Sequence, residues 1–212
     1  MSLFITFEGA EGCGKSTQAR ALWQRLIRRG IPAVLTHEPG GTALGNRLRY
    51  VLKRRLQDKI SAMAELFLFA ACRIQIINEV IRPGLEQGKV VICDRFSDST
   101  IAYQGYGRGL NLETIEEINN LATEGIKPQL TILLDIPARK GLSRKGSRSS
   151  DRFEAENIIF HRKVRDGYLT LAAEELERWL VIDGTLPRAE ISKIVWDRVS
   201  SLLQAAKASK HV

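Results

Sequence analysis

Short apolar runs alternate along this chain with longer segments in which apolar residues recur every three or four positions. A short run that is apolar throughout is typical of a buried strand, whereas the longer period is that of an amphipathic helix. The pattern predicts strands at residues 3–7, 33–36, 90–93, 130–134 and 180–182. It predicts helices at residues 15–29, 44–56, 61–85, 112–123, 153–179 and 188–206, and a further helix starting at residue 137. The polar, glycine-rich residues 97–109 are expected to form a loop.

This alternation of strands and helices predicts an α/β fold in which a five-stranded parallel sheet lies between helices on both faces. The pattern does not determine the order of the strands within the sheet. No linker rich in proline, glycine or serine interrupts the chain, so we expect residues 1–212 to form one domain.

Composition narrows the function without deciding it. The formal net charge of +8 suits a nucleic acid, and it suits a phosphorylated small molecule equally well. No apolar run reaches membrane-spanning length, the N-terminus lacks a signal-peptide pattern, and the three cysteines are widely spaced. An odd number of scattered cysteines fits a reducing compartment, so we expect a cytoplasmic protein without a membrane partner.

The first predicted strand leads directly into a glycine-rich turn and a helix. Gly9 begins the pattern G-x-x-x-x-G-K-S, and a strand before it and a helix after it are the context that makes a P-loop credible. Backbone N–H groups in such a loop cradle phosphates, and the lysine reaches the β- and γ-phosphates. We therefore predict the three-layer P-loop NTPase fold, with ATP bound by Gly9, Ala10, Glu11, Gly12, Cys13, Gly14, Lys15, Ser16 and Thr17. Cys13 is expected to serve packing rather than redox sensing.

Two aspartates compete for the Mg²⁺ site. In P-loop enzymes the metal is held by the P-loop hydroxyl, here Ser16, and by a carboxylate at the end of an apolar strand. Asp94 and Asp135 both end such strands. Asp94 is favoured as the metal residue because a cation, Arg95, and polar residues follow it.

A basic stretch at about residues 143–152 has no helical periodicity. It is either an ordinary solvated loop or a mobile lid whose cations close over the triphosphate, and the need to stabilise the transition state favours a lid. The predicted catalytic cations are Lys15, Arg95, Arg144, Arg148 and Arg152. The role of Arg73 also has two interpretations: it is either a surface or salt-bridged arginine at the edge of its helix or, beside Phe69, part of a base pocket.

Five segments together resemble the thymidylate kinase family: Phe7 through Thr17, Glu38 through Thr42, Phe69 through Arg73, Asp94 through Phe96, and Ser99 through Gly105. The resemblance implies phosphorylation of dTMP by ATP with Mg²⁺, and it implies a homodimer. It places at the acceptor site Glu11, Glu38, Pro39, Arg49, Phe69, Arg73, Arg95, Ser99, Thr100, Tyr103 and Gln104.

The resemblance also assigns individual roles. Glu11 matches the carboxylate that takes the sugar 3′-hydroxyl, Arg95 and Arg49 the phosphate clamp, and Tyr103 the bulky group that disfavours a 2′-hydroxyl. Phe69 matches the ring that stacks on thymine, and Arg73 the donor to its O4.

The P-loop departs from some members of the family because Gly12 and Cys13 stand where a basic residue occurs, so the catalytic cation is expected in the lid. Two alternative functions remain open: a kinase for another nucleotide or nucleoside, and a P-loop switch or nucleic-acid-binding protein. The low aromatic content speaks against nucleic acid as a partner.

Overall fold

The computed structural model describes residues 2–54, 60–145 and 151–208. Its strands are β1 (Leu3–Glu8), β2 (Ala33–His37), β3 (Val90–Asp94), β4 (Leu130–Asp135) and β5 (Trp179–Asp183). They form one sheet in the order β2-β3-β1-β4-β5, and all four neighbouring pairs are parallel. The predicted five-stranded parallel sheet is confirmed. Because the strands are parallel, their polar last residues, Glu8, His37, Asp94, Asp135 and Asp183, lie along a single edge.

The helices cover both faces of this sheet. They are α1 (Lys15–Arg28), α2 (Ala43–Lys53), α3 (Ala62–Ile76), α4 (Arg82–Glu86), α5 (Ser97–Thr100), α6 (Leu112–Thr123), α7 (Ala138–Lys145), α8 (Ile158–Glu174) and α9 (Arg188–Ala208). Apolar residues of α1 and α9 pack on one face of the sheet. Apolar residues of α3 and α8 pack on the other face. Both faces of the central strand β1 are therefore buried, as its largely apolar sequence predicts.

The helix predicted at residues 61–85 contains a π-helical segment, Ile77–Ile81, between α3 and α4. The helix predicted at residues 44–56 ends at Lys53, beyond which Arg54 is extended; residues 55–59 lie outside the described residues. The helix predicted at residues 153–179 is too long. It begins at Ile158, where the Asn157 side chain accepts a hydrogen bond from the Phe160 N–H, and its predicted C-terminal end contains the start of β5.

The loop predicted at residues 97–109 was wrong, because α5 continues there into the π-helical segment Ile101–Gly107. Glycine in this segment permits close packing. A Cβ added at Gly105 would lie 2.5 Å from the Leu112 side chain, and one at Gly107 would lie 2.7 Å from the Phe160 ring. Gly105 and Gly107 therefore do not form a turn; they let the neighbouring helices α6 and α8 approach this segment. This packing brings Tyr103 and Gln104, which belong to the same segment, to the sheet edge.

Candidate active site

The P-loop joins β1 to α1 at the centre of the sheet edge. Gly14, the residue before α1, has a left-handed backbone with φ of 96°, which glycine adopts without strain. The Lys15 ammonium donates to the Ala10 carbonyl at 3.3 Å and lies 3.9 Å from the sulfur of Cys13. Both are uncharged groups, and no carboxylate in the described part of the chain forms an ion pair with Lys15. Its positive charge is therefore available for an anion held by the loop.

The two predicted metal residues meet beside the P-loop. The Ser16 hydroxyl donates to the Asp94 carboxylate, and Asp94 Oδ1 is buried without a hydrogen-bond partner among the described residues. An oxygen left in that state fits a cation that takes its other ligands from phosphate and water. No group of three histidine, cysteine, aspartate or glutamate side chains that could hold a metal occurs within residues 2–54, 60–145 and 151–208. This donor set therefore fits Mg²⁺ only with a nucleotide supplying ligands.

Asp135, the competing aspartate, is engaged elsewhere. The Arg165 guanidinium in α8 donates to both of its carboxylate oxygens, at 2.7 and 2.8 Å. The structure therefore favours Asp94 over Asp135 as the metal residue, although the two look alike in the sequence.

A cavity of about 510 Å³ opens next to the P-loop. Its lining includes the cations of Lys15, Arg49 and Arg95 and the aromatic rings of Phe69, Tyr103 and Phe153. The Phe153 ring lies 5.9 Å from the rings of both Phe69 and Tyr103. Residues predicted from the sequence that line this cavity are Glu11, Lys15, Ser16, Glu38, Pro39, Arg49, Phe69, Asp94, Arg95, Ser99, Thr100, Tyr103 and Gln104. The cavity thus combines cations that can bind an anion with rings suited to a flat base; we call it the acceptor cavity.

Arg95 lies at the centre of a hydrogen-bonded cluster. Its guanidinium donates to Glu11 at 2.7 Å, to the Tyr103 hydroxyl at 2.9 Å and to the Tyr168 hydroxyl at 3.0 Å. Burial alone would lower the pKa of Arg95, but Tyr103, Tyr168, Glu11 and Glu8 outweigh that effect and hold it well above its usual value. The cluster therefore presents a permanent cation in a fixed orientation.

Glu8 supports this cluster and was missed in the sequence analysis. Its fully buried carboxylate accepts from the Phe96 N–H at 2.7 Å, the Ser99 hydroxyl at 2.5 Å and the Tyr168 hydroxyl at 2.9 Å. Burial, and next the nearby Asp98, raise the pKa of Glu8 to about 7. One signal was available, because a glutamate that ends a buried strand immediately before a P-loop needs buried partners.

Arg73 lies behind the wall of the acceptor cavity and is not one of its lining residues. Its fully buried guanidinium donates to Glu38 at 3.0 Å, to Thr100 at 2.8 Å and to Asn119 at 2.6 Å. Burial raises the pKa of Glu38, although Arg73 acts in the opposite direction. Arg73 is therefore a salt-bridged arginine but not a surface one, and it holds Glu38 and Thr100, which do line the cavity.

The predicted lid arginines do not lie together in the structure: Arg144 and Arg152 contact different parts of the chain. Arg144 donates to the Gly184 carbonyl at 2.9 Å. Arg148 lies outside the described residues. Arg152 lies 2.6 Å from the Glu65 carboxylate and donates to the Leu52 carbonyl at 3.0 Å, and it does not line the acceptor cavity. The stretch predicted to lack helical structure also begins inside α7, which extends to Lys145.

A second cavity, of about 330 Å³, lies against the P-loop. It is lined by Gly12, Cys13, Gly14, Thr17, Gln18, Arg144, Gly184, Leu186, Arg188 and Ile191. The last four of these residues and Gln18 were not predicted from the sequence. Gly184 and Leu186 follow β5 at the sheet edge where ligands bind in open α/β sheets, so their position was the available signal. Cys13 is buried and its sulfur belongs to the core, as predicted for a packing residue.

Within the described residues, no helix is both long enough and apolar enough to cross a membrane.

Comparison with known proteins gives a consistent result. A family model described as Thymidylate kinase matches residues 7–195. A thymidylate kinase of Dehalococcoides mccartyi is 53% identical over 204 residues, which cover 96% of this chain and 99% of that protein. A thymidylate kinase of Desulfovibrio desulfuricans is 51% identical over 197 residues, covering 89% of this chain and 91% of the relative. The crystal structure of thymidylate kinase from Ehrlichia chaffeensis is similar with a TM-score of 0.77 and 34% identity, over 93% of this chain and 98% of that one.

Proposed function

This chain belongs to the thymidylate kinase family, the dTMP kinases that form dTDP, and from that premise we propose how its residues divide the work between ATP, Mg²⁺ and dTMP. The observation that carries the proposal is the acceptor cavity, in which the P-loop, a fixed guanidinium and an aromatic wall surround one space. Two nucleotides can meet there with their phosphates between Lys15 and Arg95.

ATP is assigned to the P-loop, with its adenine in the second cavity. The P-loop backbone and Lys15 bind the β- and γ-phosphates, while Ser16 and Asp94 hold Mg²⁺, which when bound neutralises charge on those phosphates. Arg144 and Arg188 line the second cavity together with Leu186, which offers the adenine an apolar surface. Arg144 thus lies at the ATP side of the reaction, where a predicted lid cation is needed.

The acceptor dTMP is assigned to the first cavity. Arg95 and Arg49 clamp its phosphate, and Glu11 accepts the sugar 3′-hydroxyl. Phe69 and Phe153 face the base, and Tyr103 leaves no space for a 2′-hydroxyl. Tyr103 is well placed for this because its hydroxyl donates to Glu11 at 2.9 Å and its ring packs on Phe153 and Phe160. Its position is therefore fixed before substrate binds.

Transfer itself requires positioning and charge stabilisation rather than a strong base. The attacking phosphate oxygen is already ionised, and the transition state spreads charge over the transferring group. Two anions repel each other, so the enzyme must hold them in line by fixed cations. Lys15 and Arg144 act on the donor side, and Arg95 and Arg49 act on the acceptor side.

A coupled assay of ADP formation across nucleoside monophosphates tests this function. With ATP and Mg²⁺, dTMP is expected to be phosphorylated fastest. Faster phosphorylation of dGMP or AMP would assign the site to another acceptor, and removal of Mg²⁺ by a chelator is expected to stop turnover.

We also propose that two copies associate through α3. Met63, Phe67 and Ile74 lie on one stripe of this helix and are 41%, 57% and 44% exposed, although each is large and apolar. Such a stripe on a helix surface marks an interaction site. The buried free cysteines support a reducing compartment, the cytoplasm, as the location of this assembly.

Replacing Phe67 with glutamate is expected to convert the homodimer into a monomer, because a charge at the centre of an apolar interface loses its hydration. Sedimentation analysis would show the mass fall from twice 23.8 kDa to one chain. Leu176→Glu is the matched control, since Leu176 is 76% exposed but lies away from α3. A wild-type monomer, or an unchanged Phe67→Glu dimer, would contradict this interface.

A further inference from the structure

A buried carboxylate, Glu65, lies outside both cavities and has no part in the chemistry proposed above. It belongs to the first turn of α3, and its side chain has no exposed surface. Glu65 Oε1 accepts a hydrogen bond from Gln104 Nε2 at 2.6 Å, and Oε2 lies 2.6 Å from a nitrogen of Arg152. Arg108 donates to both oxygens at 3.3 Å. One carboxylate therefore joins three segments that are distant in the sequence.

The arrangement determines which way the Gln104 amide faces. A carboxylate between two guanidinium groups can only accept hydrogen bonds, so the amide must direct its NH₂ group toward Glu65. The amide oxygen is then on the other side. Gln104 lines the acceptor cavity, and no residue in the described part of the chain donates to its Oε1. That oxygen is an acceptor available to a ligand.

We propose that Glu65 is a positioning residue that fixes the Gln104 amide so that its oxygen accepts the N3–H of the thymine base. The inference rests on the proposed function, because it assigns the acceptor cavity to dTMP. Thymine and uracil carry a hydrogen at N3, whereas neutral cytosine does not and has an amino group in place of O4. An oxygen held in one orientation therefore accepts the first two bases and rejects the third.

The same cluster accounts for the position of Arg152. A fully buried carboxylate needs compensating charge, and Arg152 and Arg108 supply it. Arg152 is further held by its bond to the Leu52 carbonyl, and its own N–H donates to the Lys53 carbonyl at 3.0 Å. We therefore assign Arg152 a role in holding Glu65.

Glu65→Gln tests the inference. A glutamine at this position offers both a donor and an acceptor, so it no longer dictates the orientation of Gln104. The preference for dTMP over dCMP, measured as a ratio of kcat/KM, is expected to narrow about 10- to 100-fold, the effect of a buried hydrogen-bonding group losing its partner. The change should appear in KM for dTMP, while kcat at saturation and KM for ATP change little.

Glu156→Gln is the matched control. Glu156 accepts from Arg108 at 2.5 Å, but the structure shows no contact between Glu156 and Gln104. The Glu156→Gln variant is expected to prefer dTMP over dCMP by the same ratio as the wild type. Equal narrowing in Glu156→Gln would assign the effect to general weakening of the Arg108 cluster and would overturn the inference.

A second variant tests whether Glu65 acts through Gln104. Gln104→Met removes the amide oxygen. In the double variant, Glu65→Gln is therefore expected to cause no further loss of the preference for dTMP over dCMP. Additive losses of this preference in the double variant would overturn the inference. It would also be overturned if the wild type phosphorylates dTMP and Glu65→Gln leaves the preference for dTMP over dCMP unchanged. A wild type inactive toward dTMP would instead overturn the proposed function, and this inference with it.

Thermal melts accompany every variant because Glu65 is buried. Glu65→Asp keeps the charge with a shorter side chain and is expected to retain more base preference than Glu65→Gln. If neither variant folds, Glu65 serves stability alone and the positioning role is wrong.

Discussion

Replacement of Lys15 by alanine is expected to reduce kcat about 10²- to 10³-fold, the effect of removing one preorganised donor from a site of developing charge. Lys15 is 7% exposed, and the hydrogen-bond partners of its ammonium among the described residues are the Ala10 carbonyl and the Cys13 sulfur. It has no carboxylate partner in the described residues whose loss would disturb the fold. The alanine variant should therefore melt near the wild-type temperature while losing turnover.

Lys163→Ala is the control for this change, because Lys163 is an exposed lysine on α8. Its kcat is expected to match that of the wild type, which shows that removal of a positive charge from this basic protein is not itself harmful. A near-normal kcat in Lys15→Ala would remove Lys15 from the chemistry. Steady-state assays with ATP and dTMP at saturation measure both variants.

Replacement of Arg95 by alanine is expected to reduce kcat/KM for dTMP about 10²- to 10³-fold, again by loss of a preorganised cation. The reason is electrostatic: the acceptor phosphate must approach ATP against mutual repulsion, and Arg95 is the guanidinium fixed beside it. Four side chains, Glu11, Ser99, Tyr103 and Tyr168, hold that group in place. Because ATP is assigned to the P-loop, KM for ATP should change far less than KM for dTMP.

Arg82→Ala serves as the control for Arg95, since Arg82 forms a surface ion pair with Glu124. It is expected to leave both KM values unchanged. Equal losses for ATP and dTMP in Arg95→Ala would show that Arg95 supports the whole site rather than the acceptor phosphate. Thermal melts are needed as well, because Glu11 and Tyr103 lose a shared donor in this variant.

Several features of the fold could be read from local sequence. The five strands were predicted because each run is mostly apolar and bounded by polar or turn residues, and α6 was predicted at its observed limits, Leu112–Thr123. The errors occurred where packing overrides local signals. Gly105 and Gly107 lie inside a helical segment because neighbouring side chains need their space. Trp179 begins β5 although the pattern extended the preceding helix through it.

In the site, as in the fold, local motifs could be predicted from the sequence and contacts between distant segments could not. Residues within one motif, such as Lys15 and Ser16, were assigned by spacing alone, since a P-loop is built from consecutive residues. Arg73 and Arg152 could not be assigned that way, because their partners, Glu38 and Glu65, come from other segments. The second cavity was missed because it forms only where the P-loop, α7 and the residues after β5 come together.

By itself, the sequence determined the strand, turn and helix of the nucleotide site, the family resemblance, and which side chains could serve as cations or carboxylates. Each of these depends on residues that are neighbours in the chain, whose backbone preferences and spacing act locally. Only the tertiary structure decided that Asp135 pairs with Arg165 while Asp94 meets Ser16, that Glu8 supports the Arg95 cluster, and that Glu65 holds Gln104. These pairings depend on the strand order and on how helices pack across the sheet, which no local pattern specifies.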